Sequence, residues 1–260
     1  MSMKKSAKSA MSAKSALRIG AVATGAALAL GATGSAYAAT PTASPTSPAS
    51  TTGGGRAAAA QARLQAVQAL ANARLQGRLA TLHALSVAVS DSKYLTSSEQ
   101  STLANQINSD ISGLTALQTK AGNETTATAV RTDETAMVDD YRVYMVMAPQ
   151  VRLTEALSAE SDAATTLQKA YVALSDLLAK QSGGGTAQQK SQLADLQTQI
   201  TAAQAAIGNE ISVELAVQPG PDASAIQSAL APVRSATKTA HGDLMQARND
   251  AKALRNSLKA

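Results

Sequence analysis

One segment of this chain concentrates residue types that can bind a ligand, and it runs from Asp139 to Leu153. Two acidic residues, two arginines and two tyrosines lie within it, close to three methionines. Charged groups beside aromatic and thioether side chains can form a surface that recognises a partner or a ligand. The candidate interaction residues of this segment are Asp139, Asp140, Tyr141, Arg142, Tyr144 and Arg152.

The same segment also fits a structural role. Val143 to Ala148 is apolar on all sides, and a helix of that kind is buried. Methionine and tyrosine side chains would then fill the core of a helical bundle, and the charges would pair at its edges. The sequence leaves both interpretations open.

A further candidate, Glu160, interrupts an otherwise apolar stripe. It could be a buried acid with a catalytic role or a role in helix register. Alternatively, it lies at the edge of a helix seam and pairs with a cation, for which Arg142 and Lys169 are the possible partners. The sequence does not assign the partner.

Other chemistry has little support in the sequence. His83 and His241 are far apart without metal-ligand spacing around them, and the chain has no cysteine. The sequence contains no His-Glu-x-x-His zinc-protease motif, no P-loop and no Gly-x-Ser-x-Gly nucleophile elbow. It also lacks a Ser-x-x-Lys accompanied by the other motifs of that enzyme class. We therefore expect no metal site, no cofactor and no enzymatic activity.

The positive charge of the chain lies at its N-terminus. The formal net charge is +5, and removing five basic residues of the first 38 from the total of 23 leaves 18, which equals the number of acidic residues. Nucleic-acid binding needs a basic stripe, often with stacking aromatics. Because the remaining chain is formally neutral, we expect no nucleic-acid partner. The five basic residues are Lys4, Lys5, Lys8, Lys14 and Arg18.

Helices must position these side chains, because apolar residues recur every three or four positions and strand-like alternation is missing. The pattern predicts helices over about 56–89, from a capping box at Thr96 and Glu99 to Gly122, and from about Glu124 towards Ala148. A kink or break is expected at Pro149.

Two heptad-like stretches follow. One ends in a hairpin loop at Ser182–Gly185, and the next helix ends at Pro219–Pro221. The last helix either kinks at Pro232 or begins near Ala231. These patterns predict an all-α fold: an elongated antiparallel up-and-down bundle of five or six helices with coiled-coil-like heptad packing.

Residues 1–38 read as a signal peptide. A basic start is followed by an apolar stretch and by Ala36-Tyr37-Ala38, which places cleavage between Ala38 and Ala39. The basic region lacks paired arginines, so the general secretory route is expected. The mature protein should be secreted or extracytoplasmic, with no stable membrane anchor after cleavage.

The mature chain divides into two parts by composition. Residues 39–55 are rich in Pro, Ser, Thr and Gly and predict a disordered linker. Residues 56–260 are rich in Ala, Leu and Gln and predict a single helical-bundle domain.

Two stretches carry a family resemblance: YRVYMVMAPQVRL and LAPVRSATKTAHGDLMQARNDAKALRNSL. They resemble secreted, helix-rich actinobacterial proteins of unknown function, and the likeness covers about residues 94–258. The resemblance implies export and an all-helical fold, and it implies no activity.

These observations favour an exported, non-enzymatic protein with a structural or protein-interaction role in the cell envelope or outside the cell. The partner would be an unknown protein, a cell-wall component or a second copy of the chain. A ligand- or cell-wall-binding module that uses the surface around Tyr141–Arg152 is the alternative. An extracytoplasmic holdase chaperone is less favoured, because the sequence offers no basic cavity.

Overall fold

A computed structural model describes residues 53–259, and the predicted signal peptide, its cleavage site and linker residues 39–52 lie outside that range. The described chain is all-α, as predicted, with no strand between residues 53 and 259. Six helices have 13 or more residues, and α6 has six. The helices are α1 (Gly53–Asp91), α2 (Ser97–Asn123), α3 (Ala127–Asp139), α4 (Met147–Ala179), α5 (Ala187–Ile207), α6 (Glu210–Leu215) and α7 (Ala223–Ser257).

The predicted capping box at the start of α2 is confirmed. The Thr96 side chain accepts a hydrogen bond from the backbone N–H of Glu99, and the Glu99 carboxylate accepts one from the backbone N–H of Thr96 at 2.7 Å. This satisfies two backbone donors that a helix N-terminus leaves without an intrahelical acceptor. α1 begins at Gly53, so residues 53–55, which the composition predicts as the end of the linker, are helical. The alanine run that follows lets the helix propagate toward the N-terminus.

The predicted third helix is too long at its C-terminal end. α3 stops at Asp139, and residues 140–146 form a non-helical connection that we call the junction loop. Pro149 lies in the first turn of α4, where its missing N–H has no intrahelical acceptor to lose. The break therefore comes before the proline rather than at it.

The later turn signals have different outcomes. Ser182–Gly184 forms a single 3₁₀ turn between α4 and α5, at the position where the sequence predicts a loop. A side chain at Gly185 would meet Leu178, and its φ of 81° also favours glycine. Pro232 lies inside α7, which begins at Ala223 and continues through the proline.

Helices α1, α2 and α3 share a core of large aliphatic side chains. Gln68 in α1 donates to the carbonyl of Gly122 at the end of α2, and Gln118 donates to Asn72 one turn further along α1. The order of these pairs shows that α1 and α2 run antiparallel. The largest fully buried members of this core are Leu75, Leu82, Leu103, Ile107, Leu114 and Met137.

Helices α4, α5 and α7 form a second packed region. Its buried residues combine leucine, isoleucine and valine with several alanines. The elongated up-and-down arrangement and the continuous heptad packing remain predictions. Among residues 53–259, no helix combines the length and the apolar character that a membrane span requires.

Candidate interaction site at the junction loop

The junction loop lies between α3 and α4 and is folded back on itself. The carbonyl of Arg142 accepts hydrogen bonds from the backbone N–H groups of Met145 and Val146, at 2.9 and 2.7 Å. Arg142 has a φ of 40°, which is uncommon for a residue with a side chain. Val143 and Val146 are buried, so the apolar residues of this segment do enter the core, but from a loop rather than from a helix.

Arg142 is committed to internal contacts. Its guanidinium donates to the carboxylate of Asp139 at 3.0 Å, to the carbonyl of Gly220 at 2.8 Å and to the carbonyl of Pro221 at 2.7 Å. Only 10 % of its side chain is exposed. A planar guanidinium with several fixed acceptors forms a structural link, so Arg142 is not free to bind an external ligand, and Asp139 is one of its acceptors.

Tyr141 packs against α2. Its ring lies over Gly113, where a Cβ atom would come within 2.3 Å of the Tyr141 hydroxyl oxygen. Burial, with smaller contributions from the negative charges of Asp140 and Asp110, raises the pKa of Tyr141 above 10.0. Tyr141 is therefore mainly a packing residue, whereas the neighbouring Asp140 is exposed.

Tyr144 is the exposed aromatic residue of the junction loop. Its side chain is 56 % exposed, and the guanidinium carbon of Arg78 on α1 lies 5.3 Å from its ring centroid. This distance fits a cation–π contact. Next to it, Arg74 pairs with Glu134 at 2.6 Å, so α1, α3 and the loop contribute to one polar surface.

The remaining two candidates lie on α4. Arg152 is exposed. Glu160 accepts or shares a hydrogen bond with Nδ1 of His241 on α7 at 2.7 Å, and its side chain is 18 % exposed. Pairing with a cationic or polar partner at a seam edge is thus found, but the partner is His241 rather than Arg142 or Lys169. Between Arg152 and Glu160 the helix rises by about 12 Å, so the seven candidates do not form one site.

A buried polar cluster, which the sequence motifs do not indicate, lies between α4 and α6. Glu214 on α6 is fully buried, and its carboxylate oxygen Oε2 accepts from the Thr154 hydroxyl at 3.5 Å. Gln150, also buried, donates to the carbonyls of Glu214 and Val217, each at 2.8 Å. The available signal was spacing: Glu214 follows Ile207 and Ile211 at a core-facing step of the α5–α6 stripe.

The described surface offers little to an enclosed ligand. Within residues 53–259, no group of three His, Cys, Asp or Glu residues is arranged to hold a metal ion. A groove of ≈ 350 Å³ lies between the ends of α4 and α7, away from the junction loop. Its lining residues are Leu177, Lys180, Gln181, Arg255, Leu258 and Lys259.

Comparisons with protein-family models, with curated proteins and with solved structures found no match to this chain.

Proposed function

We propose that this chain is an exported, non-enzymatic interaction protein that binds a protein partner in the cell envelope or outside the cell. The N-terminal signal-peptide pattern supports export, and the likeness to secreted, helix-rich actinobacterial proteins agrees with it. The contact surface in this proposal is centred on Tyr144 and Arg78. We call these two residues, with Arg74 and Glu134 beside them, the Tyr144 surface.

The exposure of Tyr144 is the observation that carries the proposal. The chain has five tyrosines and neither phenylalanine nor tryptophan, so large aromatic side chains are scarce. Leaving one of them more than half exposed forgoes the burial that stabilises a core. Tyrosine and arginine are also the residue types that dominate binding energy at protein interfaces. The Arg78 contact favours one position of the ring before a partner binds, which lowers the entropy lost on binding.

Burial of Arg142 strengthens this assignment by removing it from the list of contact residues. A variant that lost binding because Arg142 was changed would not identify a contact surface, since its internal hydrogen bonds would be lost as well. Tyr144 offers the cleaner test because its substitution leaves those bonds intact.

Site-specific photocrosslinking in the cell that makes the protein tests the proposal. A photoreactive amino acid at position 144 should give a discrete crosslinked species, whereas the same group at Val172, which is 51 % exposed on α4, should not. Circular dichroism should show equal helicity for both variants. Equal crosslinking from the two positions would show that the Tyr144 surface is not a specific contact.

Export has its own test. N-terminal sequencing of protein recovered from outside the cytoplasm should begin at Ala39. Recovery of the chain in the cytoplasm with residues 1–38 still attached would contradict export and leave the contact surface to be judged separately.

Binding to a cell-wall polymer is the second candidate function. The exposed cation Arg152 would supply charge to an anionic polymer. Co-sedimentation with purified cell-wall sacculi across a salt series should then show saturable pelleting that weakens as salt rises. Protein that stays in the supernatant at every salt concentration would exclude this candidate.

A further inference from the structure

The segment from Gly208 to Asp222, which connects α5 to α7 and contains α6, is fastened to the rest of the molecule by side chains of three other elements. We call this segment the strap. Gln106 of α2 donates to the carbonyl of Leu215 at 3.2 Å. Arg142 of the junction loop holds the carbonyls of Gly220 and Pro221, and Gln150 of α4 holds two more. The strap therefore joins the α1–α3 region to the α4–α5–α7 region.

The carboxyl group of Glu214 lies at the centre of the strap and is poorly matched to a negative charge. Its side chain is fully buried, and among residues 53–259 its Oε1 atom has no hydrogen-bond partner. A buried carboxylate without a counter-charge is costly, whereas the protonated form is neutral. Burial is the main cause that raises the pKa of Glu214 from 4.5 to about 8.

The groups that face Glu214 only partly oppose this effect. The hydroxyl of Thr154 on α4 and the positive charge of Arg234 on α7 each lower the pKa, and burial outweighs both. α4 otherwise presents the neutral Gln150. Among residues 53–259, no charged group of α4 or α5 contributes to the shift, and the other carboxylate of α6 is Glu210.

We propose that the strap is a pH-sensitive latch, closed while Glu214 is protonated and released when Glu214 ionises. Release would give the carboxylate access to water and loosen α6 from α4. It would also lift Val217 from the small apolar cluster on which it packs, so the latch controls the exposure of an apolar surface. That cluster contains Val146, Ile226, Leu230 and Met145. The latch does not depend on the proposed partner or on the Tyr144 surface.

The direction of the pH effect follows from the raised pKa. A carboxyl group with a higher pKa in the closed state than in the open, hydrated state favours closure fully below the open-state pKa. The advantage then declines as pH rises and is lost by about pH 8. Between these limits the equilibrium constant for opening should rise by up to about tenfold per pH unit, and it should level off above them.

Hydrogen exchange of the full-length chain tests the latch. Exchange rates of strap amides are divided by their intrinsic rates at each pH, which removes the direct effect of pH on exchange. The reporting amides are Val213, Ala216 and Val217, which donate to Asn209, Ser212 and Glu214. Their protection should fall between about pH 6 and pH 8, while that of the α5 core around Ile200 stays constant.

Three variants make the assignment specific. Glu214→Gln keeps the size of the side chain without a titratable proton, so strap protection should become independent of pH. Glu210→Gln removes the other carboxylate of the same helix and should leave the pH dependence in place. Gln106→Leu removes the donor to Leu215 and should lower strap protection at every pH without changing its slope.

Each outcome decides the proposal. A slope in the unaltered protein that disappears only in Glu214→Gln supports the latch. A slope that survives in Glu214→Gln, or that disappears in Glu210→Gln, assigns the titration to another group and overturns it. Strap protection that is independent of pH in the unaltered protein overturns it as well.

Discussion

The α1–α3 region and the α4–α5–α7 region stabilise helix pairs with different side chains. The main core cluster of the first region takes large aliphatic residues and no alanine from α1, α2 or α3. The second region places buried alanines between its leucines and isoleucines. Alanine buries little area but lets helix backbones approach closely, so the second region depends on many close contacts and the main core of the first on large side chains. A smaller cluster of the first region also buries Ala71 of α1 and Ala121 of α2. The buried alanines of the clusters in the second region are Ala164, Ala203, Ala240 and Ala247.

Loss of a large side chain should harm the first region most. Leu82→Ala on α1 removes a fully buried side chain and should lower the free energy of unfolding by about 2–5 kcal/mol, as measured by urea denaturation. Leu70→Ala on the same helix is the matched control, because Leu70 is 49 % exposed and its loss should cost less than about 0.5 kcal/mol. Equal losses for the two variants would contradict the described core.

Addition of volume should harm the second region. Ala203→Leu on α5 inserts a larger side chain where Ala203 is fully buried against α4 and α7, and it should destabilise by about 1–3 kcal/mol. The neighbouring Ala202 is exposed, so Ala202→Leu should change the melting temperature little. If Ala203→Leu is tolerated as well as Ala202→Leu, the close helix approach assigned to this region is wrong.

A carboxyl group on α2 gives the first region its own pH dependence. Burial raises the pKa of Asp110 from 3.8 to about 6, so stability is lost as pH rises from about 4 to about 6. Asp110→Asn should therefore stabilise the protein at neutral pH, and by less at pH 4. The expected gain is about 1 kcal/mol, well below the full value of the pKa shift, because Asp110 is only partly buried and solvent screens its charge. Chemical denaturation at the two pH values measures the difference. A stabilisation that is the same at both would assign it to something other than ionisation.

The smallest expected effect concerns the contact between α2 and the junction loop. Alanine is favoured over glycine inside a helix by about 1 kcal/mol, but a Cβ atom at position 113 meets the Tyr141 ring. Gly113→Ala should thus destabilise the unaltered protein and stabilise a Tyr141→Ala variant by about 0.5–1 kcal/mol. A double-mutant cycle on unfolding free energies reads out this change of sign. Additive effects would show that Gly113 and Tyr141 do not interact.

The fold class was predictable because it depends on local signals. The spacing of apolar residues identified every long helix, and the Thr96–Glu99 capping box located the start of α2. Pro232 was harder to interpret, since propensity alone expects a kink or a later start there. Burial of Ile226, Leu230 and Val233 on both sides of the proline stabilises α7 through that position, so the helix begins at Ala223 and not near Ala231.

The candidate site was harder to predict because its contacts cross the sequence. Arg142 is bonded to carbonyls that lie 78 and 79 residues away, and Glu160 pairs with a histidine 81 residues away. No local pattern reveals such partners. The end of α3 depends on the same contacts, because they hold Arg142 in its left-handed conformation and so interrupt what reads as a continuous helix.

The strap also sets an order of assembly during synthesis. Contacts within the α1–α3 region join residues about 60 positions apart, as between Arg74 and Glu134, and can form once that part of the chain has been made. Gln106 must wait for Leu215, which lies 109 positions later. A growing chain that ends before the strap carries three side chains, on α2, α4 and the junction loop, with no carbonyls to bind. The strap can therefore close fully only after residue 221 has been synthesised.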